Sequence, residues 1–278
     1  MFTVLTVEDR RKNGAFANIR DVLAVNTLKQ RLVRNEGVQI RYLDLVCRSR
    51  KINWHRVGRI AVKTGEGVVY SSKIPVGEGA GFVPFEPYEF RQRLCSNMAI
   101  EVLSIMGDVP SRLRIGIYDP AGDFTDLAPF LLRYTDNLCV VTENFRIYSD
   151  LSKSIINETG AVLRVNRRVS ALSSCGFIIS PGVIRERFTP LSKAVVLTSC
   201  KPMVYLPCSV YSRYSLRLPK EFQSLCPDGV DSEVFCGALY SFCRIYRLGS
   251  IVPFVCMNSE NSQTTLSLRK YLCEQFGT

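Results

Sequence analysis

Few residues in this chain are equipped for chemistry. It has one histidine, His55, and eleven cysteines, at positions 47, 95, 139, 175, 200, 208, 226, 236, 243, 256 and 273, with no Cys-x-x-Cys pair among them. A single imidazole argues against the usual zinc sets and against every arrangement that needs two. An odd number of thiols without a repeated spacing, several inside apolar runs such as Leu138-Cys139-Val140-Val141, reads as small buried hydrophobes in a reducing cytoplasm rather than as disulfides or metal ligands. Nucleophile elbows, zincin helices and kinase signatures are all missing from the sequence.

Charge offers a second kind of site. The formal net charge is +11, and between Arg41 and Lys63 seven basic residues face one acid, Asp44, with Tyr42, Trp54 and His55 interleaved. Arg48, Arg50, Lys51 and Arg56 are the candidate anion-binding residues of this segment, the composition a phosphate-binding face needs. No nucleic-acid-binding motif accompanies them, which weighs for a solvated helix face over a nucleic-acid partner.

A third group of polar residues follows short apolar runs. The run Leu113–Tyr118 leads into Asp119-Pro120-Ala121-Gly122-Asp123-Phe124-Thr125-Asp126, Glu143 follows Leu138–Thr142, and Ser180-Pro181-Gly182 ends Cys175–Ser180. Acids at 119, 123 and 126 put negative charge at a helix N-terminus, where they act as ordinary stabilising caps.

These residues need elements to position them, and the hydrophobic pattern predicts an α/β protein in two lobes, 1–108 and 109–278, divided near Gly107–Ser111. In the first lobe Phe2–Val7, Val38–Cys47 and Gly67–Ser71 read as strands and Trp54–Lys63 as a short helix. Ile19, Leu23, Leu28 and Leu32 share a helical face that Gly37 would end. Pro75–Gly81 reads as a connector, because no Lys-Ser or Lys-Thr pair follows its glycines. Pro87 opens a strong helix through Phe90, Leu94, Met98, Val102 and Ile105.

The second lobe alternates: strand Arg112–Tyr118, helix Phe124–Tyr134, strand Leu138–Thr142, helix Tyr148–Thr159 closed by Gly160, then strands Ala161–Val165, Cys175–Ser180 and Ala194–Thr198. That spacing is the signature of consecutive βαβ crossovers and a parallel sheet. A further strand is expected at Met203–Leu206, a helix capped by Asp228 and ended by Gly249, and a last helix over Leu266–Phe276. The last helices are expected to pack back on the first lobe.

From about Arg112 to Cys200 this layout resembles the NAD(P)-binding Rossmann superfamily, in the form seen in two-domain dehydrogenases related to shikimate dehydrogenase and glutamyl-tRNA reductase. The resemblance implies a dinucleotide site in which glycines let the backbone approach a pyrophosphate at a helix N-terminus. Aligned on that fingerprint, Asp119, Ala121 and Phe124 stand where its three glycines belong. Glu143, 24 positions after Asp119, falls where an acid would hold an adenosine ribose. The residues that would meet NAD or NADP are therefore Asp119, Ala121, Gly122, Asp123, Glu143, Ser180 and Gly182.

Three functions are compatible with this pattern. One is a cytoplasmic Rossmann-like protein that binds a small molecule or nucleotide, or regulates, with a degenerate dinucleotide site. Another is an NAD(P)-dependent oxidoreductase with an unusual pyrophosphate loop. The third is an interaction protein that holds an anionic partner on residues 41–63. No apolar run reaches the roughly 20 residues of a membrane span, and residues 1–10 carry no leader pattern, so a soluble, unexported chain is expected.

Overall fold

Short apolar runs bounded by turn residues become strands here, and longer amphipathic runs become helices. The computed structural model describes residues 1–9, 25–35, 37–49, 51–62, 67–71 and 73–277. In chain order the elements begin with strands β1 (Phe2–Asp9), β2 (Thr27–Asn35) and β3 (Val38–Cys47), helix α1 (Trp54–Ala61), strand β4 (Val68–Tyr70) and helix α2 (Tyr88–Ser104). Next come β5 (Ile115–Tyr118), α3 (Leu127–Leu131), β6 (Leu138–Val141), α4 (Phe145–Thr159), β7 (Arg164–Asn166), β8 (Phe177–Ser180), β9 (Val195–Thr198), β10 (Ser209–Tyr211) and β11 (Arg213–Ser215). The final stretch adds α5 (Lys220–Gln223), α6 (Ser232–Cys243), β12 (Val255–Met257), β13 (Ser262–Thr264) and α7 (Thr265–Phe276).

Two compact units result. Residues Met1–Pro87 and Leu218–Leu248 form the first, and Tyr88–Arg217 with Gly249–Thr278 form the second. Helix α2, which the hydrophobic pattern groups with the first lobe, lies in the second unit. Its buried residues include Phe90, Leu94, Met98 and Val102, and it packs against β8 and β9.

The first unit is a four-stranded sheet in the order β2-β3-β1-β4. Strand β1 runs parallel to both β3 and β4, and α6 packs on all three of those strands. Phe2 anchors the packing, with its ring centroid 5.8 Å from Phe235 and 6.2 Å from Phe242 of α6.

The helix expected through Leu28 and Leu32 is instead strand β2, paired antiparallel to β3 from Thr27↔Val46 to Asn35↔Val38. Ile19 and Leu23 lie outside the described residues. Gly37, at φ +80°, sits in the turn of this hairpin rather than at a helix end. Leu32 is 49% exposed, so its spacing from Leu28 marks no buried face, and the ladder to the well-buried β3 decides the conformation.

The second unit carries a fully parallel six-stranded sheet in the order β10-β9-β8-β5-β6-β7. Counted from β5 as the first strand, and read from β7 to β10, this is the 3-2-1-4-5-6 order of doubly wound nucleotide-binding sheets. Every residue of β5, β8 and β9 is buried, as parallel strands covered on both faces require. A small antiparallel sheet, β11-β12-β13, and α7 complete the unit.

Three further expectations are corrected. The helix expected over Phe124–Tyr134 shortens to α3, because the backbone of residues 122–124 is used in a turn described below. No strand forms at Met203–Leu206; the sixth strand is β10, which continues the register of β9. Helix α6 is capped by Asp231, not Asp228, and stops at Arg244, which adopts the left-handed conformation at φ 56°, before Gly249 is reached.

Candidate functional site

At the carboxyl edge of the six-stranded sheet, β5 ends in Tyr118 and the chain turns through Asp119. That side chain, 2% exposed, folds back into its own turn. Its Oδ1 accepts the backbone N–H groups of Gly122 at 3.0 Å and Asp123 at 3.1 Å, and its Oδ2 accepts that of Phe124 at 2.9 Å. Tyr148 of α4 donates its hydroxyl to Oδ2 at 2.8 Å. Gly122 makes the turn possible by taking φ +81°, a region side-chain-bearing residues avoid.

These N–H groups are the kind that a glycine-rich turn presents to a pyrophosphate. Here the protein's own carboxylate receives them. The residues present therefore do not fit a dinucleotide pyrophosphate. Burial, reinforced by the adjacent Asp119 charge, pushes the Tyr148 hydroxyl above the ordinary tyrosine range, so it stays a neutral donor.

The turn is also clamped from the next loop. Glu143 and Asn144 donate their backbone N–H groups to Pro120 O at 3.1 and 3.3 Å, and Asn144 Nδ2 donates to Ala121 O at 3.2 Å. Asp119, Ala121, Gly122, Asp123 and Glu143 are thus gathered in one loop pair, with Ala121, Asp123 and Glu143 exposed on it. Exposed carboxylates at positions 123 and 143 repel phosphate further.

Ser180 ends β8, the neighbour of β5, and Gly182 lies in the turn that follows. Ser180 Oγ donates to Gly182 O at 2.9 Å, and Thr198 Oγ1 donates to the same carbonyl at 3.4 Å, so both predicted residues are committed to their own turn. Beside them Tyr118 donates to Glu186 Oε1 at 3.2 Å, and burial, then the Glu186 charge, pushes its hydroxyl up to about 12.

Among the basic residues, Arg50 and Lys63 lie outside the described residues. Arg48, Lys51 and Arg56 are exposed. Asn26 organises their loop: its Oδ1 accepts from the N–H groups of Arg48 and Ser49, each at 2.8 Å, and its Nδ2 donates to Lys51 O at 2.9 Å. Lys51 and Arg56 line a cavity of about 250 Å³, and Lys51 also faces a larger one of about 900 Å³ within the first unit.

The glycine-rich segment Pro75–Gly81 serves packing. A Cβ on Gly77 would fall 2.4 Å from Trp54 Cδ1, and one on Gly58 would fall 1.5 Å from Ala80 O, so α1 and this segment touch through bare backbone. Sequence reasoning passed over Lys73 and gave Trp54 and Asp228 no part in the larger cavity, which the three line from separate segments.

All eleven cysteines are free thiols. Two of them interact: the Cys175 thiol hydrogen-bonds Cys139 and, with Asn166 and the guanidinium groups of Arg164 and Arg114, lowers Cys139 to about 7 against the opposing effect of burial. Among the described residues no group of three or more His, Cys, Asp and Glu side chains could hold a metal ion, and no helix is long and apolar enough to cross a membrane.

No protein-family model matches the chain, and no curated protein matches its sequence. Among solved structures, L-tryptophan dehydrogenase from Nostoc punctiforme aligns with 99% of this chain and 80% of its own, at 8% identity and a TM-score of 0.29. A likeness that slight carries no argument about fold or activity, and the α/β assignment rests on the strand order itself.

Proposed function

We propose that this chain is a Rossmann-like protein that binds a small molecule or regulates, and that it does not use a dinucleotide as a redox carrier. One observation carries the reading: the Asp119 carboxylate already holds the three turn N–H groups on which a pyrophosphate would depend. A cofactor would have to displace a buried charge from four hydrogen bonds, Tyr148 included, and would find the carboxylates of Asp123 and Glu143 in its path.

Calorimetric titration with NAD(H), NADP(H), ATP and S-adenosylmethionine tests it. Absence of dinucleotide binding up to about millimolar ligand is expected, a ceiling near −4 kcal/mol.

The oxidoreductase reading keeps two supports, the doubly wound strand order and the exposed Glu143, the second residue after β6. Micromolar binding of NAD(H) or NADP(H), weakened by Glu143→Ala and accompanied by turnover of a carbonyl substrate, would replace the proposal with that reading.

A further inference from the structure

The first unit holds a cavity of about 900 Å³, within the size range of small-molecule sites. It lies at the carboxyl ends of the parallel strands, where β1, β3 and β4 deliver Asp9, Cys47 and Ser71. Strand β1 has a parallel neighbour on each side, and the chain crosses over it to pass from β3 to β4. That crossing is a switch point, the place where open α/β sheets leave a crevice for ligands.

The lining divides by chemistry. Leu5, Val7, Ile52 and Trp54 give it an apolar wall, and Trp54 is held in place by its contact with Gly77. Lys51 and Lys73 line it too, and neither ammonium has an ion-pair partner among the described residues. Among the described residues Asp9 and Asp228 line it as well, Asp9 with an interaction of its own. The described lining therefore sets two ammonium groups without ion-pair partners beside an apolar surface.

We infer that this cavity binds a small organic carboxylate with an apolar body, its anionic end on Lys51 and Lys73 and its apolar end on Trp54. The inference deepens the ligand-binding reading above and is independent of the Asp119 turn. Phosphate esters fit less well, because the apolar wall would face their polar substituents and the glycine-rich segment is spent on packing against Gly58 and Trp54.

Trp54 is the only tryptophan in the chain, so its emission reports the cavity directly. The purified full chain is titrated with 4-phenylbutyrate and with its uncharged amide, under excitation selective for tryptophan. A saturable emission change with the acid is expected, with the amide weaker by about tenfold or more. The variant carrying Lys51→Gln and Lys73→Gln should bind the acid about tenfold more weakly and melt at the parent temperature. No saturable change, equal binding of acid and amide, or undiminished binding by the variant would each overturn the inference. Displacement of the probe by inorganic phosphate at equal concentration would overturn it as well, by reassigning the lysines to phosphate. Dinucleotide binding measured in parallel bears only on the Asp119 reading, so the two failures are distinguishable.

Discussion

Tyr148 donates its hydroxyl to Asp119 Oδ2 at 2.8 Å, with both residues buried, and so ties α4 to the turn that follows β5. Tyr148→Phe removes one charge-assisted bond and is expected to destabilise the protein by about 1.5–3 kcal/mol. Asp119→Ala should cost more, since it strands three N–H groups and the hydroxyl together. Urea denaturation of both single variants and the double variant gives the coupling, expected to exceed about 1 kcal/mol. Additive effects would mean that the two residues do not act on one another.

Gly122 and Gly182 make a matched contrast. Gly122 sits at φ +81° with Asn144 Cβ 3.3 Å from where a Cβ would be, whereas a Cβ on Gly182 would meet nothing within 4 Å. Gly122→Ala should lose more than about 1 kcal/mol, and Gly182→Ala should stay within about 0.5 kcal/mol of the parent. Scanning calorimetry of the two variants reads the difference, and equal melting temperatures would contradict the turn geometry.

The close approach of α1 to the glycine-rich segment is equally open to test. Gly58→Ala would place a methyl group 1.5 Å from Ala80 O, a backbone atom that cannot rotate away. Overpacking of this kind is expected to cost about 3 kcal/mol or more. A urea midpoint close to the parent's would show that the segment is not held there.

Thiol reactivity should distinguish Cys139 from Cys208 and Cys226. Its thiol is lowered to about 7, whereas burial pushes Cys208 and Cys226 up to about 11. The thiolate is the nucleophile, so at pH 7 Cys139 should be alkylated by iodoacetamide well ahead of those two. Its rate should level off at a lower pH than theirs. Cys175→Ala removes the hydrogen bond that lowers Cys139 and should slow its labelling at pH 7, as peptide mass spectrometry would record.

Much of the second unit was legible because its strands are buried on both faces. Runs such as Phe177–Ser180 and Val195–Thr198 have no polar member facing solvent, and Gly160, at φ +75°, ends α4 as its residue type suggests. Strand β2 was misread because an exposed edge strand imposes no period-2 burial, which leaves Leu28 and Leu32 free to mimic a helix. Asp119 was recognised as an acid in place of glycine, but the direction of its side chain, inward onto the turn's own N–H groups, is a three-dimensional fact. The larger cavity was invisible for a different reason. Asp9, Lys51, Ser71 and Asp228 belong to four separate stretches, and no local pattern links them.

The first unit is discontinuous, and its helix α6 comes late in the chain. On the ribosome the amino-terminal strands therefore emerge long before Cys243 is made, with the face that Phe2 shares with Phe235 and Phe242 still bare. All six strands from β5 to β10 are translated in that interval. The first unit can thus close only after the parallel strands of the second have been made, and its apolar face stays uncovered for that interval.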